Sequence, residues 1–110
     1  MPQLRSSRTV LGKEFIYSGS LAEGLTVIHE SGNTTLISSD VVRIIQREIQ
    51  TRSPVKMGAN RSPLVPNSVG ETLSSKHGTS PQVMSYVLPL LIEQGFCKVS
   101  NGKPVVIYRT

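Results

Sequence analysis

Residues 68–96, SVGETLSSKHGTSPQVMSYVLPLLIEQGF, place two helix starts and two helix stops in one short stretch. This dense punctuation leaves the segment few ways to fold. Ser68-Val69-Gly70-Glu71 has the Ser-x-x-Glu pattern of a capping box, in which the serine oxygen accepts an orphan backbone N–H and the glutamate reaches back to the cap. Val69 and Leu73 follow one turn apart on one face. Ser74 is small enough for a second helix to cross closely. Gly78 tolerates a left-handed backbone and should end the helix, with Lys76 and His77 in the last turn where positive charge suits the dipole. A new start follows at Ser80, an N-cap residue, with Pro81 at the first helical position. Met84, Leu88 and Leu91 then form a helical stripe up to Gly95, with Phe96 folding back onto the core. The spacing predicts helices over 68–77 and 81–94, joined by a turn short enough for a helix-turn-helix.

A hairpin is expected next. Cys97-Lys98-Val99-Ser100 leads into Asn101-Gly102, and Lys103-Pro104-Val105-Val106-Ile107-Tyr108-Arg109 follows. Asn-Gly suits a two-residue type I′ turn, whose central residues both need positive φ.

The remaining chain divides by composition. Residues 1–13 carry Arg5, Arg8 and Lys13 among Ser, Thr and Gly, and read as a flexible basic arm. Residues 14–39 read as a β-hairpin extension, with strands over 14–18, 25–29 and 34–37 and a turn at Glu30-Ser31-Gly32-Asn33. Asp40 is an N-cap candidate for a helix over 41–52, in which Val41, Ile44, Ile45 and Ile49 keep helical spacing. Pro54, Pro63 and Pro66 forbid a continuous helix over 53–66, where Val55-Lys56-Met57 suits a short strand added to the hairpin.

On Leu73-Ser74, Gly78, Ser80, Met84-Ser85, Leu88, Leu91 and Gly95-Phe96, followed by the hairpin, residues 68–109 resemble the winged helix-turn-helix superfamily of bacterial and archaeal transcription regulators. With helix 41–52 the resemblance covers about two thirds of the chain. It departs from the superfamily at Ser74, where alanine is usual, at His77, where an apolar residue is usual, and at Tyr86, where arginine is common. Pro89 falls inside the second helix, where a proline costs roughly 3 kcal/mol and predicts a bend near Ser85–Tyr86 or a break. The implied fold is α+β: a winged helix-turn-helix, with a three-helix core and a C-terminal wing over 40–110, preceded by the N-terminal β-hairpin region.

The resemblance implies a DNA-binding protein, a transcriptional regulator reading a duplex with helix 81–94 and a basic wing. The helix face opposite Met84, Leu88 and Leu91 carries Ser80, Gln82, Ser85 and Tyr86, with Val83 at its edge. Glutamine can pair bidentately with adenine, and Val83 can meet a thymine methyl. Ser80, Tyr86 and the N–H groups at the helix start can hold phosphates. Lys98 and Lys103 flank the wing turn and Arg109 lies on its return strand, all suited to backbone contacts. Such domains commonly act as homodimers on symmetric sites, and strands 14–39 have the apolar content for the dimer contact. The alternative is a winged helix that binds a protein partner, since no Arg or Lys falls between Pro81 and Gln94.

Charge agrees with a polyanion partner. The net charge is +5, and residues 61–110 hold five Lys or Arg against two Asp or Glu. No apolar run approaches the ~18–20 residues a membrane span needs, and the start lacks the apolar core of a signal peptide. With a single cysteine, Cys97, these absences predict a cytoplasmic protein without internal disulfides. His29 and His77 lie far apart, no Cys, His, Asp or Glu cluster has metal spacing, and no glycine-rich phosphate loop occurs, so neither catalysis nor a cofactor is expected.

Overall fold

The computed structural model describes residues 4–10, 12–59, 63–100, 102 and 104–110. It is α+β, with three α-helices and two antiparallel sheets. The N-terminal sheet is a meander of β1 (Arg5–Arg8), β2 (Glu14–Ser20), β3 (Gly24–Ile28) and β4 (Thr34–Ile37), each strand paired with its neighbour in sequence. Residues 5–8 therefore belong to a sheet and not to a flexible arm. Arg5 stands opposite Tyr17 and Arg8 opposite Glu14. Alternation puts Phe15, Tyr17, Leu25, Val27 and Ile37 on the buried face. The apolar content of these strands is divided: those five residues pack inward, while Ile16 and Leu36 stay exposed on the outer face.

Helix α1 (Ser39–Arg52) starts at Ser38, not Asp40: the Ser38 hydroxyl accepts the Val41 N–H, and Asp40 sits in the first turn, paired with Arg43. Val42, Ile45 and Ile49 are buried. The helix touches β3 of the first sheet and both β5 (Val55–Lys56) and β7 (Val106–Arg109) of the second. Its last arginine, Arg52, donates to Glu48 Oε1 at 2.8 Å, Thr72 Oγ1 at 3.0 Å and the Asn67 carbonyl at 3.1 Å, tying α1 to the start of α2.

Helix α2 (Val69–His77) ends where expected and starts one residue later, with Ser68 as its N-cap. Ser68 is fully buried; its Oγ accepts the Glu71 N–H and donates to the Val65 carbonyl. Glu71 reaches back one residue further than a strict capping box, taking the Asn67 N–H at 3.1 Å. Gly78 ends the helix at φ 61°, and the Thr79 N–H bonds the Leu73 carbonyl. Helix 81–94 is divided: Pro81–Val83 form a 3-10 turn, and α3 (Met84–Glu93) runs on through Pro89. Pro89 has no N–H to offer the Ser85 carbonyl. The division thus falls before Met84, earlier than the expected bend.

The second sheet has the order β5-β7-β6, with β6 at Cys97–Ser100. Val55–Lys56 joins it as expected, opposite Ile107 and Val106. Ser100 pairs with Val106, and the turn expected at Asn101-Gly102 includes Asn101, which lies outside the described residues. Pro104 cannot donate to a ladder, and the Val105 carbonyl is taken by the Met57 N–H at 2.9 Å. Among the described residues no helix is long and apolar enough to cross a membrane.

Candidate nucleic-acid interface

The eight residues expected to meet DNA separate into distinct environments. Ser80 and Gln82 stand at the head of the 3-10 turn, where the Ser80 hydroxyl accepts the Gln82 N–H at 3.3 Å. Gln82 is exposed and Ser80 half-buried. Val83 is buried at 6% exposure, so the expectation that it meets a thymine methyl is corrected. Ser85 and Tyr86 are half-buried, and the expectation of an outward face there is also corrected. The first sheet lies on that face. The Tyr86 ring meets Phe15 edge-on at 5.2 Å and His29 at 5.9 Å, and His29 Nε2 is 2.7 Å from Thr35 Oγ1. Further along, the Ser7 hydroxyl donates to Glu93 Oε1 at 3.0 Å. Helix α3 is therefore covered on two sides. Met84, Val87, Leu88, Pro89, Leu90 and Leu91 are all buried.

The sequence contains the signal for this burial. Val83, Leu90 and Ile92 fill positions outside the stripe formed by Met84, Val87, Leu88 and Leu91. A helix that is apolar all round is a buried helix, whereas a single stripe leaves a face for solvent.

The hairpin sheet keeps its charges accessible. Lys98 is exposed directly opposite Tyr108, itself 38% exposed. The next row on the same face holds Ser100, Val106 and half-buried Lys56. Lys56 and Tyr108 were not among the expected site residues; they join Lys98 only once β5 and β7 are in register. Arg109, opposite Cys97, alternates to the other face. Its backbone N–H bonds Ser53 Oγ at 2.9 Å and its Nη1 bonds the Gln50 carbonyl at 3.3 Å, so it serves the end of α1 and does not join Lys98. Lys103 lies outside the described residues. Strands β5, β6 and β7 carry Lys56, Lys98 and Arg109 and no carboxylate.

Chemistry at the remaining reactive groups is muted. Cys97 is 2% exposed, and burial pushes its thiol up to about 11, away from the reactive thiolate. Among the described residues no three His, Cys, Asp or Glu side chains gather as a metal site. No known protein family, curated protein or solved structure matches the chain.

Proposed function

We propose that the chain is a winged helix-turn-helix protein that binds double-stranded DNA through phosphate contacts and acts in transcriptional regulation. The element order α1-β5-α2-α3-β6-β7 supports the fold, as does the placing of β7 between β5 and β6. The observation that carries the binding reading is the acid-free outer face of the second sheet, with Lys98 beside Tyr108 and Lys56 one row away. Two ammonium groups there attract phosphates and release their counterions, and a tyrosine hydroxyl can bond a phosphate oxygen. The burial of α3 leaves only its head, Ser80 and Gln82, for a groove, so the proposed binding depends little on sequence.

Fluorescence anisotropy of a labelled random-sequence duplex tests this. Binding should weaken steeply between low and moderate salt. Lys98→Ala and Lys56→Ala should each lower the slope of log K against log salt by about one, with equal losses on all sequences. No binding at low salt overturns the proposal.

A second reading has its own observation. The face of α3 that would read DNA is occupied by β1 and β2, which favours a winged helix used for a protein partner. Such binding would not show the salt slope of phosphate contacts.

A further inference from the structure

A groove of about 460 Å³ runs between β1, the second half of α3 and β6. Both strands that flank it are sheet edges: β1 ends the order β1-β2-β3-β4, and β6 ends the order β5-β7-β6. The hydrogen-bond phase shows which backbone groups these edges leave without a partner among the described residues. The Thr9 N–H bonds the Lys13 carbonyl at 2.8 Å, so Thr9 points toward β2. Direction alternates along an antiparallel strand, and Arg8 and Ser6 therefore aim their N–H and C=O groups away from β2. The Thr110 N–H bonds the Phe96 carbonyl at 3.3 Å, and the same alternation turns the backbone of Cys97 and Val99 away from β7. Ser6, Arg8 and Val99 all line the groove.

Side chains give the groove a two-part character. Val10, Pro89 and Ile92 contribute an apolar wall. Glu14 and Glu93 stand at its rim, and among the described residues neither has a cation within ion-pairing distance. Arg8 sends its guanidinium to the Gly12 carbonyl at 3.2 Å, within its own turn.

We infer that this groove binds an extended peptide as an added strand, with apolar side chains on the Val10–Pro89–Ile92 wall and a Lys or Arg side chain at Glu14 and Glu93. Strand addition supplies affinity through the open backbone groups, and alternate side chains supply selectivity. A volume in the ~300–1,000 Å³ range of ligand pockets suits a short stretch of such a peptide. The site is separate from the outer face of the second sheet and does not depend on DNA binding.

A displayed library of random heptapeptides, panned on the full chain, provides the probe. Enriched sequences should alternate apolar residues with Lys or Arg. Binding of the enriched peptide, made synthetically, should slow amide exchange at Ser6, Arg8 and Val99. N-methylation of alternate peptide residues should weaken it at least tenfold, a test that leaves the protein unaltered, and Glu93→Gln should weaken it a few-fold. Absence of enrichment, exchange changes confined to other elements, or full tolerance of N-methylation in both registers would each overturn the inference.

Discussion

The ring of Tyr86 meets the ring of Phe15 edge-on, with centroids 5.2 Å apart, and this contact fastens the third helix to the second strand. Phe15 is 7% exposed and also lies 5.8 Å from Tyr17. Aromatic pairs of this geometry contribute beyond the area they bury. Phe15→Ala should therefore destabilise the fold by about 3 kcal/mol or more, the range for a truncated core phenylalanine. Urea unfolding checks this. A loss within a few tenths of a kcal/mol would mean that the first sheet does not seal α3.

Two glycines in and after α2 should respond differently to alanine. Gly78 sits at φ 61° with nothing within 4 Å of an added Cβ, so Gly78→Ala meets only the left-handed backbone penalty, about 1 kcal/mol. At Gly70 an added Cβ would run into the Gly58 carbonyl and the Pro81 ring. Gly70→Ala should cost about 3 kcal/mol or more, because backbone would have to move. Thermal unfolding of the two variants side by side gives the ranking, and an equal loss would mean that α2 does not approach the Met57–Ala59 segment this closely.

Ser68→Ala removes an acceptor for the Glu71 N–H and a donor to the Val65 carbonyl in one step. The expected loss is about 1–2 kcal/mol, the upper part of the N-cap range, since the site is fully buried. Ser68→Thr tests the shape of the site separately, because it keeps the hydroxyl and adds a methyl.

Glu48 should make stability depend on acid. Burial pushes its carboxyl up, but the hydrogen bonds from Arg52 and Thr72 and the charges of Arg52 and Lys76 outweigh it, and the folded value falls below the ordinary 4.5. A depressed folded value means that the stabilisation is present above the unfolded carboxylate range and is lost as pH drops through the folded value. The stability gap between the wild type and Glu48→Gln should therefore be widest near neutrality and close in strong acid. Chemical unfolding across that range measures it, and a gap that widened on acidification would contradict the ion pair.

Cys97 should resist a thiol reagent at pH 8 while the protein is folded. Its thiol is pushed up to about 11 and its side chain is buried. Labelling should follow the opening of the hairpin sheet and speed up with denaturant. Fast labelling of the native protein would place Cys97 at the surface.

The parts of the fold that were legible in the sequence are those with local causes. Ser68, Glu71 and Gly78 bracket α2 through hydrogen bonds and backbone angles within a few residues of each other. Val55–Lys56 shows as a short strand because prolines bound it. Strand β1 has no such signal: Arg-Ser-Ser-Arg lacks apolar alternation, and its pairing with β2 arises from tertiary context. The turn expected at Asn101-Gly102 includes Asn101, which lies outside the described residues, and the described pairing closes at Ser100 opposite Val106. At the candidate interface, the exposure of Lys98 on a strand was legible from its place beside Cys97 and Val99. Val83 and Tyr86 lie away from solvent because the first sheet covers that side of α3, a long-range packing that the helical spacing alone does not encode.

The two sheets close over very different lengths of chain. In the first, each strand pairs with the next, and only short turns must be ordered. In the second, Val55 must wait for Ile107, far along the chain. Closing a long loop carries the larger entropic cost and slows the contacts that depend on it. During synthesis, then, the N-terminal meander can assemble before α3 has been made, while the basic sheet forms only once β7 has been made. Pulse-labelled exchange should find Val27 protected before Ile107. A chain that stops short of β7 would leave β5 without its strand partner, so the proposed DNA-binding face would be absent until β7 is in place.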